Sequence, residues 1–246
     1  MERIIDLRKL RQTLKVLEET IIFALIQRTM YRVNPSIYLK KGMVSDYSGS
    51  FLDFILLGTE KIHAKAGRFE NPDEFPFFGE LPDPIFKRST QRSIPDVKAQ
   101  KKQMNMNSKI KKVYLEEIIP RICMDGLDFE FRSSAVLDVN ALSAISKRIH
   151  FGIFIAESKF LSDQTEYSKA VKKRDTLVLM EMLTNKKAEE EIYQRVVNKA
   201  SFYGCNDKSG PFIHIVNPEI IADIYRDWII PLTKNVEIQY LLARLD

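Results

Sequence analysis

Arg148 and Lys159 stand eleven residues apart, about three helical turns, so on one continuous helix the two cations would project in nearly the same direction. Asn185 and Glu189 are four apart, as are Thr233 and Glu237, the spacing that puts two side chains on one helix face. Arg11 adds a further cation near the start of the chain. Guanidinium and ammonium groups suit the gripping of an anion, with arginine able to hold a carboxylate bidentately. Taken singly, such residues are more often surface pairs or solvated charges. Spacing alone shows only that the pairs can share a face.

Other chemistries have less support. No nucleophile elbow or cysteine-based signature is present. His150, two residues after Arg148, reads as a packed or capping histidine, not a base; His63 falls on a core-facing helix and His214 in a loop. Cys123 and Cys205 lie far apart without metal-ligand spacing, which predicts two free thiols in a reduced intracellular setting.

The elements that must carry these residues are helical. Leu7, Leu10, Leu14, Leu17, Ile21 and Leu25 recur at three- and four-residue steps, predicting a long amphipathic helix from about Ile4 to Val33, ended before Asn34-Pro35. A second helix is predicted from Ser50 to about Ala66, with Gly67 as its stop. From Arg68 to Asn107 prolines sit among aromatics, and Phe75, Phe77 and Phe78 are expected to plug this irregular segment against the helices. Helical periodicity returns at Lys109–Arg121, Asp138–Phe160, Asp163–Lys173, Asp175–Leu183, Lys186–Tyr203 and Pro218–Leu245. Asn217-Pro218 reads as a cap and first turn, and Pro231 should kink the last helix. Phe212–Val216 is a weak strand candidate. The expectation is an all-α chain, one domain over residues 1–246, with long N- and C-terminal helices and no significant β-sheet.

With 246 residues and 45% hydrophobic content the chain can build one substantial core. No stretch approaches the roughly 18 apolar residues of a membrane span, and the amphipathic start does not read as a signal peptide, which favours the cytoplasm. A charge of +5 and a pI near 9.0 fit an anionic small molecule, nucleic acid or nothing in particular. The basic cluster Lys98–Lys112 lacks the interleaved aromatics that stack bases, so nucleic acid is not expected.

Several segments in order carry a resemblance. Leu-Arg-Lys-Leu-Arg (7–11), Gly-Ser-Phe-Leu-Asp (49–53) and Gly-Arg-Phe-Glu-Asn-Pro-Asp-Glu-Phe-Pro-Phe-Phe (67–78) come first. Ser-Lys-Arg-Ile-His-Phe-Gly (146–152), Leu-Thr-Asn-Lys-Lys-Ala-Glu-Glu (183–190) and Ile-Pro-Leu-Thr-Lys-Asn-Val-Glu (230–237) follow. Together they resemble the all-helical chorismate mutases of fungi and plants over nearly the whole chain. The resemblance implies conversion of chorismate to prephenate by a cofactor-free rearrangement. It also implies a site of Arg11, Arg148, Lys159, Asn185, Glu189, Thr233 and Glu237, with no metal. Chorismate is a dianion, so Arg11 and Arg148 would take its carboxylates, aided by Asn185 and Thr233. Glu189 would accept from the ring hydroxyl, and Lys159 would donate to the ether oxygen where negative charge grows. Glu237 faces the same oxygen and must be protonated to help.

Fungal members are homodimers inhibited by tyrosine and activated by tryptophan, which implies a homodimer here. At the effector site the family's Arg-Arg pair is replaced by Gly67-Arg68, and its Gly-Ser followed by Thr by Arg132-Ser133 and Val136. Asn217 stands where a switching threonine occurs. Arg68 and Ser133 remain of a degenerate effector site, and weak or absent tyrosine and tryptophan regulation is expected. The competing readings are a catalytically weakened relative acting as a regulatory or interaction protein, and a helical scaffold for nucleic acid.

Overall fold

A computed structural model describes residues 7–41, 43–86, 101–204 and 216–244; every regular element among them is helical. The chain start before Leu7, Pro95, Cys205, His214, Leu245 and all but the last residue of the strand candidate fall outside these residues.

Helix α1, Leu7–Arg28, ends five residues before the predicted stop. Its last side chain supplies the reason. The Arg28 guanidinium folds back to donate to the carbonyls of Tyr31, Arg32 and Val33, which draws the chain out of the helix. Arg28 is fully buried, and it can be so because its Nε meets Asp138 Oδ1 at 2.6 Å. The hydroxyls of Tyr38 and Tyr114 each donate to the same carboxylate at 2.8 Å. Cys123, a free thiol bonded to this cluster, is pushed up to about 11 by burial.

Helix α2, Phe51–Lys65, begins where the sequence predicts: Ser50 and Asp53 form a reciprocal capping box. Gly67 at φ 78 follows it and opens a 3-10 turn over Arg68–Glu70. The irregular segment then lies over the helices. Phe75 is buried in the core and Phe77 and Phe78 pack against it. Glu60 of α2 accepts the backbone N–H groups of Phe77 and Phe78 at 2.8 and 3.1 Å, and burial pushes its carboxyl up to about 7.

A short α3, Lys101–Met104, precedes a rod built of α4 (Asn107–Val113), a π-turn (Tyr114–Ile118) and α5 (Ile119–Ile122). The expected helix Asp138–Phe160 is instead two. Helix α6 starts earlier, at Phe131, and runs to His150; α7 covers Gly152–Ser162. Caps at Asp163, Asp175 and Asn185 then start α8 (Gln164–Lys172), α9 (Thr176–Leu183) and α10 (Lys186–Tyr203).

Asn217 caps α11, Pro218–Ile224, with Pro218 at its first turn as predicted. A π-turn, Tyr225–Ile229, leads into α12, Ile230–Arg244. The kink expected at Pro231 therefore takes the form of a widened turn. Proline lacks the N–H for the i−4 carbonyl and its ring crowds that oxygen, so a wider turn relieves both faults. Pro120 follows the other π-turn at the same offset. In the packed molecule α6 lies between α1 and α2, while α12 packs on α7, α6 and α9.

Candidate active site

The helix break at Phe151 puts Arg148 and Lys159 on α6 and α7, not on the one continuous helix that the spacing argument assumed. Both reach α12, Arg148 at Thr233 and Lys159 at Glu237.

Arg148, in the last turn of α6, is 5% exposed. Its Nη1 donates to Thr233 Oγ1 at 3.3 Å, and that hydroxyl spends its own hydrogen on the Ile229 carbonyl at 2.7 Å. The guanidinium Nε is buried with no hydrogen-bond partner among the described residues. Burial pulls Arg148 below the usual arginine range, opposed by Tyr225, Glu18 and Glu237 nearby. A buried guanidinium held mainly by a neutral hydroxyl is a poor structural element and a ready anion site.

Lys159 Nζ donates to the Leu183 carbonyl at 2.8 Å and to Glu237 Oε2 at 3.1 Å. Glu237 is 3% exposed. Burial raises its carboxyl above the ordinary range, while Lys159, Arg148 and Lys234 act the other way. With Oε2 taken by Lys159, Oε1 is the oxygen left to carry a proton.

Asn185 and Glu189 do not share a helix face in the sense expected. Asn185 precedes α10 as its cap, its Oδ1 accepting from Ala188 N at 3.0 Å, which leaves the Nδ2 amide as its donor. Glu189 sits in the first turn, and its Oε1 accepts from Lys234 Nζ at 3.0 Å. Arg11 is exposed on α1. Its level follows from helix pairing: Glu18 accepts Arg195 Nε and Nη2 at 2.9 and 2.8 Å, and further along Phe23 meets Tyr203. Helices α1 and α10 therefore run parallel. Arg11 lies seven residues, about two turns, before Glu18, toward the end of α1 that runs beside the start of α10.

Sequence reasoning missed Lys234 and Gly152. A Cβ on Gly152 would lie 3.0 Å from both Thr233 Cγ2 and the Thr233 carbonyl and 3.3 Å from Glu237 Cγ. Glycine there lets α7 approach the face of α12 that carries both residues. Gly152→Ala is expected to lose about 1–3 kcal/mol of stability and most activity together, read by thermal melting and steady-state rates. Nothing in the local sequence signals this, because the contact spans some eighty positions.

The histidine expectations divide. His150 is buried, accepts from Met106 N at Nε2, donates from Nδ1 to the Ser146 carbonyl and stacks on Phe75 at 4.1 Å. Burial pushes it down to about 4, so it is a neutral packing group. Helix α2 faces the core through Leu52 and Leu56 as expected, while His63 itself is half-buried beside Arg68.

The two effector-site residues lie apart. Arg68 is held by Glu74 and His63, while Ser133 donates to Glu130 near the start of α6. Tyr31, Arg132, Ser133, Val136 and Leu137 line a pocket of about 340 Å³ there. Phe131 packs on Phe51 at the N-terminus of α2, and Arg68 follows its C-terminus, so the 15 residues of α2 separate them by about 20 Å.

A family model described as Chorismate mutase type II matches residues 132–238. The chain is 41% identical over 253 residues to chorismate mutase of Saccharomyces cerevisiae (strain ATCC 204508 / S288c), covering 100% of this chain and 97% of that protein. It is 37% identical over 257 residues to the chloroplastic chorismate mutase 1 of Arabidopsis thaliana, covering 98% and 75%. The crystal structure of a Candida albicans chorismate mutase in complex with L-Trp superimposes with a TM-score of 0.89 at 40% identity, covering 98% of this chain and 92% of that one.

Proposed function

The chain belongs to the chorismate mutase family and converts chorismate to prephenate, and we propose that Arg11, Arg148, Lys159, Asn185, Glu189, Thr233 and Glu237 perform the reaction. The observation that carries this assignment is the buried guanidinium of Arg148, held mainly by the Thr233 hydroxyl and close to Glu237. A dianionic substrate supplies the carboxylate that this cation does not meet among the described residues.

The rearrangement moves six electrons within one molecule: the ether C–O bond breaks as a C–C bond forms. The residues need only hold the reactive conformer and stabilise charge on the departing oxygen. Arg148 and Arg11 grip the two carboxylates, with Asn185 Nδ2 and Thr233 adding directed contacts. Glu189 accepts the ring hydroxyl. Lys159 and protonated Glu237, already bonded to one another, point two donors at the ether oxygen. Prephenate feeds phenylalanine and tyrosine synthesis. The test is loss of chorismate absorbance with prephenate recovered; a rate no faster than the spontaneous rearrangement overturns the reading.

The whole chain, as one domain, is proposed to act as a homodimer in the cytoplasm. The separation of Arg68 from Ser133 along α2 supports the dimer, since one amino-acid effector can touch both only across two copies. The Candida albicans relative was solved with L-Trp. Here Arg132 stacks on Phe131 at 4.6 Å, Arg68 is already paired, and Val136 offers no hydroxyl. Saturating tyrosine or tryptophan should therefore change the rate less than about two-fold; a several-fold change in the chorismate assay contradicts this. Sedimentation would show one dimeric species.

A further inference from the structure

We propose that Lys234 is a positioning residue for the rearrangement, holding the Glu189 carboxylate toward the substrate hydroxyl from an anchor on the turn between α9 and α10. The proposal rests on the reading that Glu189 accepts from that hydroxyl.

Lys234 Nζ donates to Glu189 Oε1 at 3.0 Å and to Thr184 Oγ1 at 3.3 Å. The Thr184 hydroxyl gives its own hydrogen to the Met180 carbonyl at 2.7 Å, so a lone pair is what it presents to the ammonium. One residue earlier, the Leu183 carbonyl is taken by Lys159 at 2.8 Å. Two lysines, from α7 and α12, thus hold consecutive residues of the turn that leads directly into Asn185 and α10. That turn anchors the Lys234 ammonium, and the ligand it holds directly is Glu189.

The pair differs from an ordinary surface ion pair, whose flexible partners gain little from meeting. The Lys234 side chain is 15% exposed and has two fixed acceptors, which restricts its rotamers. With Oε1 occupied, Glu189 keeps Oε2 as the acceptor for a hydroxyl. Without Lys234 the carboxylate, at 30% exposure, is free to turn toward water. A misplacement of this kind lowers the population of the reactive pose more than it lowers affinity for the dianion, which the arginines supply.

The experiment compares kcat and KM for Lys234→Met, Lys234→Arg, Glu189→Gln and the Lys234→Met/Glu189→Gln double variant, each checked by thermal melting. Expected are a loss of about ten-fold in kcat for Lys234→Met with a smaller change in KM, recovery of most of it in Lys234→Arg, and no further loss when Lys234→Met is added to Glu189→Gln. If the double variant repeats the full ten-fold loss, Lys234 acts elsewhere and the proposal is overturned while the role of Glu189 stands. A raised KM with unchanged kcat likewise overturns it, since Lys234 would then touch the dianion itself. Parental kcat in Glu189→Gln overturns the reading of Glu189, and this proposal with it. Should Lys234→Met not fold, unchanged kcat and KM in a Lys234→Gln variant that does fold overturns the proposal as well.

Discussion

Replacing Arg148 by methionine is expected to abolish most activity while leaving the protein as stable as before or more so. Charge-assisted hydrogen bonds contribute about 1.5–3 kcal/mol each, so losing a bidentate grip on one carboxylate corresponds to roughly a thousand-fold in kcat/KM. Stability should move the other way. The guanidinium is buried, its Nε has no hydrogen-bond partner among the described residues, and burial disfavours its charge. An apolar chain of similar length removes that desolvation penalty, and replacing a poorly compensated buried charge is often neutral or stabilising by about 1–4 kcal/mol. Thr233 loses one incoming donor but keeps its bond to Ile229. Chorismate assays and melting curves on the same preparations decide the matter: a lost rate with an unchanged or higher melting temperature marks a binding group, whereas both falling together marks a structural one. Arg28→Met is the contrasting control. It strands Asp138, fully buried beside two tyrosine hydroxyls, and should lower the melting temperature.

The second large effect concerns pH. Activity should be full below the raised pKa of Glu237 and fall about ten-fold per pH unit above it, because only the protonated carboxyl can donate to the ether oxygen. Burial raises this group, while Lys159 on α7, Arg148 on α6 and Lys234 on its own helix oppose the rise; Tyr167 of α8 faces it as well. Glu237→Gln carries a permanent N–H donor at the same place. Its rate is expected to stay flat across the range in which the parent declines, so that the variant overtakes the parent at alkaline pH. A pH–rate profile in which Glu237→Gln falls in parallel with the parent excludes Glu237 as the titrating donor. Stability follows the same sign. The folded state holds this proton more tightly than the unfolded chain, so the contribution is complete below the ordinary carboxyl value and is lost as pH rises through the raised one.

The sequence by itself determined what acts within one helical turn. The helix starts after Ser50, Asn217 and Asn185 follow from side chains that meet backbone groups two or three residues away, and the Gly67 stop from a backbone angle that glycine adopts freely. Apolar periodicity likewise fixed the all-α class. Recognition of the candidate ligands came from the resemblance of ordered segments, not from spacing, and the spacing argument for Arg148 and Lys159 fails at Phe151. Only the tertiary structure decided which groups share the site. Arg148 meets Thr233 across 85 positions and Lys159 meets Glu237 across 78, through helices whose crossing no local pattern encodes. The same holds for Gly152, whose missing Cβ matters only once α7 and α12 touch. Burial completes the distinction: a sequence can place an arginine or a glutamate on a helix, but the desolvation that leaves Arg148 short of a carboxylate and raises Glu237 arises from the neighbours that exclude water.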